Sequence, residues 1–385
     1  MKYGKTLAAL GLTVVMASTM LTGCGSSNKL DGTQIAGTVN GEEVTLGEIS
    51  FATRYLQAVS YSYYYQLMGS TSLFDGVADE DTGETYGQKV VSNVVDTYDK
   101  MVVLKQHASD YNVELTDDET SEIDAAAQSY IDSNDQETLD KVGASKDDVV
   151  SYLTLMKYQE KMMAAMTTDV DTTVTEDESN QTSVRIIRLE IEDDSDEDAL
   201  KTDMQSIYNA LAATDDLVNA DMLSIAQGIN EDATTVINSY TTSDPTDTSL
   251  DSNAVDAVKD KEAGQLSDGV FESSDGKYLM VAVNLGHDDD KTASKVETII
   301  SERKQDAYDE LLNGWVDEAE FVHNEDITKQ ISVTDKVMYT QSTDEESSTE
   351  ESTSEESSEE SSDSTESTEE SSAEESTEES SSSAE

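Results

Sequence analysis

Cysteine is nearly absent from this 385-residue chain, with Cys24 the single example. One thiol excludes an internal disulfide framework, a zinc site of four thiolates and a CxxC redox pair. Histidine is almost as scarce. His107, His287 and His323 stand far apart in sequence, which argues against a His-rich metal site. Basic residues are few: 23 Lys and Arg face 84 Asp and Glu, for a formal net charge of −61. Nucleic-acid binding needs a basic footprint that displaces counterions from phosphates, so this balance argues against it. It argues equally against electrostatic adsorption to an anionic membrane. The motifs HExxH, GxxxxGK[ST] and GxSxG are missing, and no cofactor or metal is implied.

Part of the acidity is local. Residues 341–385 hold 18 acids and no base among repeated Glu-Glu-Ser-Ser and Glu-Glu-Ser-Thr units. Such a stretch repels itself and has no large apolar side chains to bury, so disorder is expected over 336–385. Without 341–385 the chain still carries 66 acids against 23 bases. The tail reads as a solvating bristle, or as a brush that attracts basic unfolded segments.

The amino terminus reads as an address. Lys2 and Lys5 precede an apolar stretch, Leu7 to Met20, too short to span a bilayer comfortably. It ends at Leu21-Thr22-Gly23-Cys24, which resembles the bacterial lipobox. That resemblance implies a signal peptide over 1–23, acylation of the Cys24 thiol and a tether over 24–34. Two acyl chains would anchor the mature protein on the extracytoplasmic face of a bacterial membrane. A Gram-positive surface suits the acidic tail.

From residue 35 the pattern turns to helices. Asn40-Gly41 marks a hairpin turn, and Thr45-Leu46-Gly47-Glu48 fits a capping box that opens a helix to about Met68. Val90, Val94, Tyr98 and Val102 predict a second helix over about 86–111. Thr116 to Glu119 caps a third, running to Ser133. Ser145 caps a fourth, with Val149, Val150, Leu153, Met156 and Met163 on its buried side. Between Thr173 and Gly286 the order is strand, three helices, strand. The strands are Ser183–Ile191 and Tyr278–Leu285, and the helices cover 198–211, 217–229 and 254–258. A strong helix follows from Thr292 to about Ala319, carrying Leu311, Leu312 and Trp315.

These pieces carry a family resemblance. The run VNGEEVTLGEISFATRYL, then GASKDDVVSYLTLMKYQEKM, and finally ERKQDAYDELLNGWVDEAEF resemble, in that order, the SurA and PrsA class of extracytoplasmic chaperones. The stretch Ala257 to Val270 and the strand from Lys277 resemble parvulin-type peptidyl-prolyl isomerases. The resemblance implies an α+β fold: a discontinuous all-helical chaperone domain, 35–172 with 290–335, interrupted by a parvulin-like α/β domain at 173–289. The parvulin pattern departs where catalysis would sit. Its first histidine position falls on Arg185, read here as a charged residue on a strand's solvated side. Its late histidine falls on Tyr278 or, shifted by one, Lys277. No catalytic residue is therefore assigned.

An ATP-independent holdase or foldase for nascent secreted proteins is the first functional expectation. An active prolyl isomerase is the second, because isomerisation needs no nucleophile. A surface ligand-binding or adhesive lipoprotein is the third. Flexible Met and amphipathic Tyr suit variable apolar clients. The client-binding candidates are Tyr61, Tyr64, Tyr65 and Met68 in the first helix, and Met156, Met162 and Met166 in the fourth. Oligomeric state is not legible.

Overall fold

The structure is a computed structural model that describes residues 17–20, 29–61, 74–192, 196–335 and 337–340. Its fold is α+β. After β1 (Ala17–Met20), β2 (Ile35–Val39) and β3 (Glu42–Thr45) form a hairpin. Asn40 and Gly41 turn it with φ of 50° and 82°. Two consecutive positive φ values give a turn whose twist matches the strands. Thr45 then caps α1 (Leu46–Leu56). Its hydroxyl accepts from Glu48 N at 3.1 Å, and Glu48 Oε2 accepts from Thr45 N at 2.7 Å.

The helix expected to reach Met68 departs from α geometry earlier, passing at Gln57–Tyr61 into a π-turn. Ala58 is buried there and Val59 is exposed, so the apolar stripe does not continue in one phase. The short strands β4 (Val77–Asp79) and β5 (Glu84–Thr85) lead into α2 (Tyr86–Gln106). A 3-10 turn, Ala108–Tyr111, replaces the end expected for that helix.

Thr116 and Glu119 cap α3 (Asp117–Ser133) as their spacing predicts. A short helix, α4 (Gln136–Val142), occupies a stretch expected to be loop. Asp135 caps it and Gly143 ends it. Next comes α5 (Lys146–Met166), which buries Val149, Leu153, Leu155, Met162 and Met166. It packs against α1, α2 and α3, and its later turns meet the returning chain. It therefore buries more than the single stripe read from its sequence.

A four-residue helix, α6 (Glu176–Ser179), precedes the α/β unit. There β6 (Gln181–Glu190) is followed by α7 (Glu197–Ala212), α8 (Met222–Gln227), β7 (Thr234–Thr241), α9 (Ser252–Val258), β8 (Phe271–Glu272) and β9 (Tyr278–His287). The sheet is antiparallel in the order β7-β6-β9-β8. One face packs Ile187, Leu189, Val281 and Val283 under α7 and α8. The other packs Val184, Ile186, Met280 and Ala282 under α9. The expected strand–helix–helix–helix–strand order lacked β7 and β8. The expected helix over 217–229 is shorter because Asp221 recaps it at Met222.

The chain then enters α10 (Asp289–Glu318), 30 residues and about 45 Å long. Asp288 caps it and also accepts from Ser183 Oγ at 2.5 Å, which fixes the helix to the sheet. Its far half joins the early helices, where Tyr308 and Leu312 bury beside Leu104, Ala108, Met162 and Met166. Next, β10 (Phe321–His323) pairs with β2, Phe321 opposite Val39. The early helical body therefore includes a three-stranded sheet, β10-β2-β3, and is not all-helical. After α11 (Glu325–Thr328), Ile331 and Val333 enter the same core as Val90 and Val94. Finally β11 (Val337–Thr340) pairs antiparallel with β1. That places a strand inside the stretch expected to be unstructured, against one inside the signal-like stretch. Among the described residues, no helix is long and apolar enough to cross a membrane.

Candidate functional site

The two sheet positions aligned with the parvulin histidines do not meet. In the β6–β9 ladder Arg185 lies opposite Val283, whereas Tyr278 lies opposite Glu190. Five residues separate the two positions along β6, about 16 Å at strand rise. Odd separation also puts them on opposite faces. Arg185 shares its face with Ile187, and its Nη1 donates to Ala220 O at 2.8 Å, in the turn before α8. The solvated-side reading of Arg185 is thus corrected: the guanidinium is half-buried and ties helix to sheet. Tyr278 is covered by Arg188, whose Cζ stands 4.4 Å from the ring centroid. Shifting the late position to Lys277 lengthens the separation by one residue. This geometry pairs no two polar side chains across a prolyl-sized pocket at these positions.

The methionine candidates divide. Met162 is fully buried and Met166 nearly so, both in the core closed by Tyr308 and Leu312. Neither presents a surface to a client, because the returning helix covers them. Met156 is half-buried between two cores. Tyr61 closes the π-turn, and its side chain is outside the description, as are Tyr64, Tyr65 and Met68 entirely. Cys24 and the tail from residue 341 also lie outside the described residues.

Polar ties hold the return of the chain onto the early helices. Asp335 accepts from the backbone N–H groups of Phe74 and Asp75, at 2.9 and 3.0 Å. Arg54, itself buried, donates to Ser332 O at 3.0 Å. A Cβ on Gly87 would stand 2.0 Å from Val333 O, so only glycine lets the returning segment pass this close to α2. His323 Nε2 and Asp99 Oδ2 are 2.6 Å apart. Burial pushes the Asp99 carboxyl above its ordinary range, against the pull of that histidine. The only tryptophan, Trp315, stacks on His107 with ring centroids 4.3 Å apart and planes 9° from parallel. The sequence singled out none of these ties, because each joins residues more than 200 positions apart.

Two further features lie outside these ties. Along the first half of α10, Val296, Ile299 and Ile300 are half-exposed and belong to none of the five buried cores. The linker before α6 runs beside them, held by Arg303, which donates to Thr173 O at 2.8 Å and pairs with Glu178. The second is an open groove of about 620 Å³ in the α/β unit. It lies between α9 and the approach to β8, lined by Asp256, Asp260, Asp268 and Glu272 with Ala257 and Phe271. Among the described residues no cluster of His, Cys, Asp and Glu could hold a metal ion.

No protein-family model and no curated protein matches the sequence. Among solved structures, the foldase PrsA from Lactococcus lactis is 11% identical, with a TM-score of 0.32, over 78% of this chain and 100% of that one. The foldase PrsA from Streptococcus pneumoniae is 14% identical, with a TM-score of 0.28, over 63% and 93%. The peptidylprolyl isomerase PrsA from Bacillus anthracis is 15% identical, with a TM-score of 0.24, over 58% and 97%. Likenesses this distant assign no activity.

Proposed function

We propose that this protein is an extracytoplasmic chaperone, lipid-anchored through Cys24, that holds unfolded secreted polypeptides without ATP. The observation that carries the reading is the return of α10, β10 and 331–335 onto the early helices. It makes the α/β unit an insert in a discontinuous helical body, the arrangement the chaperone resemblance implies. It also leaves α10 as a strut whose half-exposed Val296, Ile299 and Ile300 lie between body and insert. Weak apolar contact on a strut suits clients of many shapes. Separation of Arg185 from Tyr278 favours holding over prolyl isomerisation.

Light scattering of a denatured, aggregating client tests the reading. Mature protein from Cys24 onward, in molar excess, is expected to suppress scattering while leaving a proline-limited refolding rate unchanged. Scattering that does not fall in clear excess of the protein ends the chaperone reading. A faster proline-limited phase restores the isomerase. The anchor is tested separately: Cys24→Ser is expected to move the protein out of the membrane fraction.

A further inference from the structure

Strand β7 is an edge of the four-stranded sheet, pairing only with β6. Natural edges are blunted by short length, bulges, lysine or proline, because unpaired backbone groups recruit other strands. This edge is eight residues long and pairs with β6 without a register shift. It contains no lysine and no proline.

Hydrogen-bond direction shows which half is open. The Ile191 N–H, continuing β6, donates to Lys277 O, so odd-numbered residues of β6 bond towards β9 and even ones towards β7. In the β6–β7 register even residues face even residues, Ile186 opposite Val236 and Val184 opposite Asn238. The backbone groups of Thr235, Ile237, Ser239 and Thr241 therefore face away from the sheet. Two of these positions are already occupied. Ser239 O accepts from Thr248 Oγ1 at 2.7 Å, and Thr241 N donates to Asp247 O at 3.3 Å. The backbones of Thr235 and Ile237 have no such partner among the described residues. Ile237 is also the most exposed large apolar residue of the α/β unit, at 52%. The fold thus caps half of this edge with residues 247–248 and leaves the other half free.

Charge bears on the occupant. Between Lys201 and Lys259 the chain has ten acids and no base. The two cations that β6 brings to this edge are already engaged, Arg185 with Ala220 O and Arg188 with the Tyr278 ring and Thr234 Oγ1. Glu231 and Asp232 stand three and two residues before the first residue of β7, and neither is in an ion pair among the described residues.

We propose that Thr234–Asn238 of β7 binds an extended, lysine- or arginine-bearing apolar segment of unfolded polypeptide as a fifth strand. Main-chain bonds to Thr235 and Ile237 supply affinity without reading sequence, as a chaperone site requires. The side chain of Ile237 supplies an apolar contact, and Glu231 and Asp232 favour cationic segments. The partner's identity as a client rests on the chaperone reading; the strand-addition site does not.

The probe is a synthetic peptide alternating valine and lysine. Two controls accompany it: one with glutamate for lysine, and one N-methylated at every second residue. On the mature protein, the lysine peptide is expected to slow amide exchange at Thr235 and Ile237 at least tenfold. Both controls should bind at least tenfold more weakly by fluorescence anisotropy. Thr235→Pro removes one outward donor, and Ile237→Lys places a charge on the open edge; each is expected to weaken the lysine peptide at least tenfold. The second variant keeps the test valid if the first fails to fold. Exchange at 235 and 237 unchanged by saturating peptide, or wild-type affinity for the lysine peptide in both variants, overturns the proposal. If both variants suppress client aggregation as wild type does, the site is not where clients bind, although the chaperone reading stands. If wild type suppresses nothing yet the peptide protects β7, the strand addition stands and the chaperone reading falls.

Discussion

The helical body and the α/β unit solve the same problem, closing a core, in opposite ways. The α/β unit is one continuous stretch, 181–287, whose two cores come from apolar faces of a sheet and its helices. The body is assembled from two stretches, with the α/β unit between them. All four buried charged side chains among the described residues, Glu48, Arg54, Asp99 and Asp335, lie in the body. A buried charge is costly unless fully paired, so it contributes more to specificity than to stability. Where neighbouring strands and helices bring apolar faces together, no such device is needed. Where a strand must return from more than 200 residues away, polar ties fix where it lands.

The largest expected effect breaks the body alone. Gly87→Val drives a side chain into the Val333 carbonyl and should displace the returning segment, at a cost on the order of 4 kcal/mol. Trp315 sits in the body and is the only tryptophan, so its emission reports that region cleanly. The urea midpoint read by Trp315 should fall sharply while amide exchange at Ile187 and Val281 stays as in wild type. If exchange in the sheet rises together with loss of the tryptophan signal, the two regions are one cooperative unit and the contrast fails.

A smaller effect runs the other way. Ile207 is fully buried between α7 and the sheet, and Ile207→Ala should cost about 3 kcal/mol. The loss should appear as faster exchange along β6 and β9, with the Trp315 midpoint unmoved. A shifted tryptophan midpoint would mean that α10, capped by Asp288 on the sheet, transmits the damage along its length.

The same contrast governs how far sequence reasoning reached. Capping boxes at Thr45, Thr116 and Ser145 each start the helix they predicted, because a cap is satisfied within four residues. The Asn40-Gly41 hairpin was legible for the same reason. In the α/β unit β7 escaped notice, although Thr234-Thr235-Val236-Ile237 and Tyr240 are strand formers. Met162 and Met166, client-binding candidates by residue type, are buried, because one helix's periodicity cannot show a second helix arriving from 140 residues later. Arg185 was misjudged as solvated because its partner, the Ala220 carbonyl, belongs to a turn. Side chains become candidates or core according to contacts that periodicity does not encode.

The smallest expected effect asks whether surface charge also belongs to the body's closure. Glu119 caps α3 and accepts from Lys161 Nζ on α5 at 2.6 Å. That bond, with the Thr116 backbone N–H, pulls its carboxyl down to about 2 from an ordinary 4.5. A carboxyl depressed by folding contributes stability that is complete above its unfolded value and drains away as pH falls towards the folded one. Partial exposure screens the pair, so the contribution at pH 7 is about 1 kcal/mol. Glu119→Gln should therefore lower the Trp315 urea midpoint at pH 7 and lose most of that difference between pH 4.5 and 2. A difference that persists undiminished at pH 2 would assign the loss to packing of α3 on α5 rather than to the ionised carboxylate. In that case this surface pair would play no part in the body's closure, which would rest here on its apolar cores and buried polar ties.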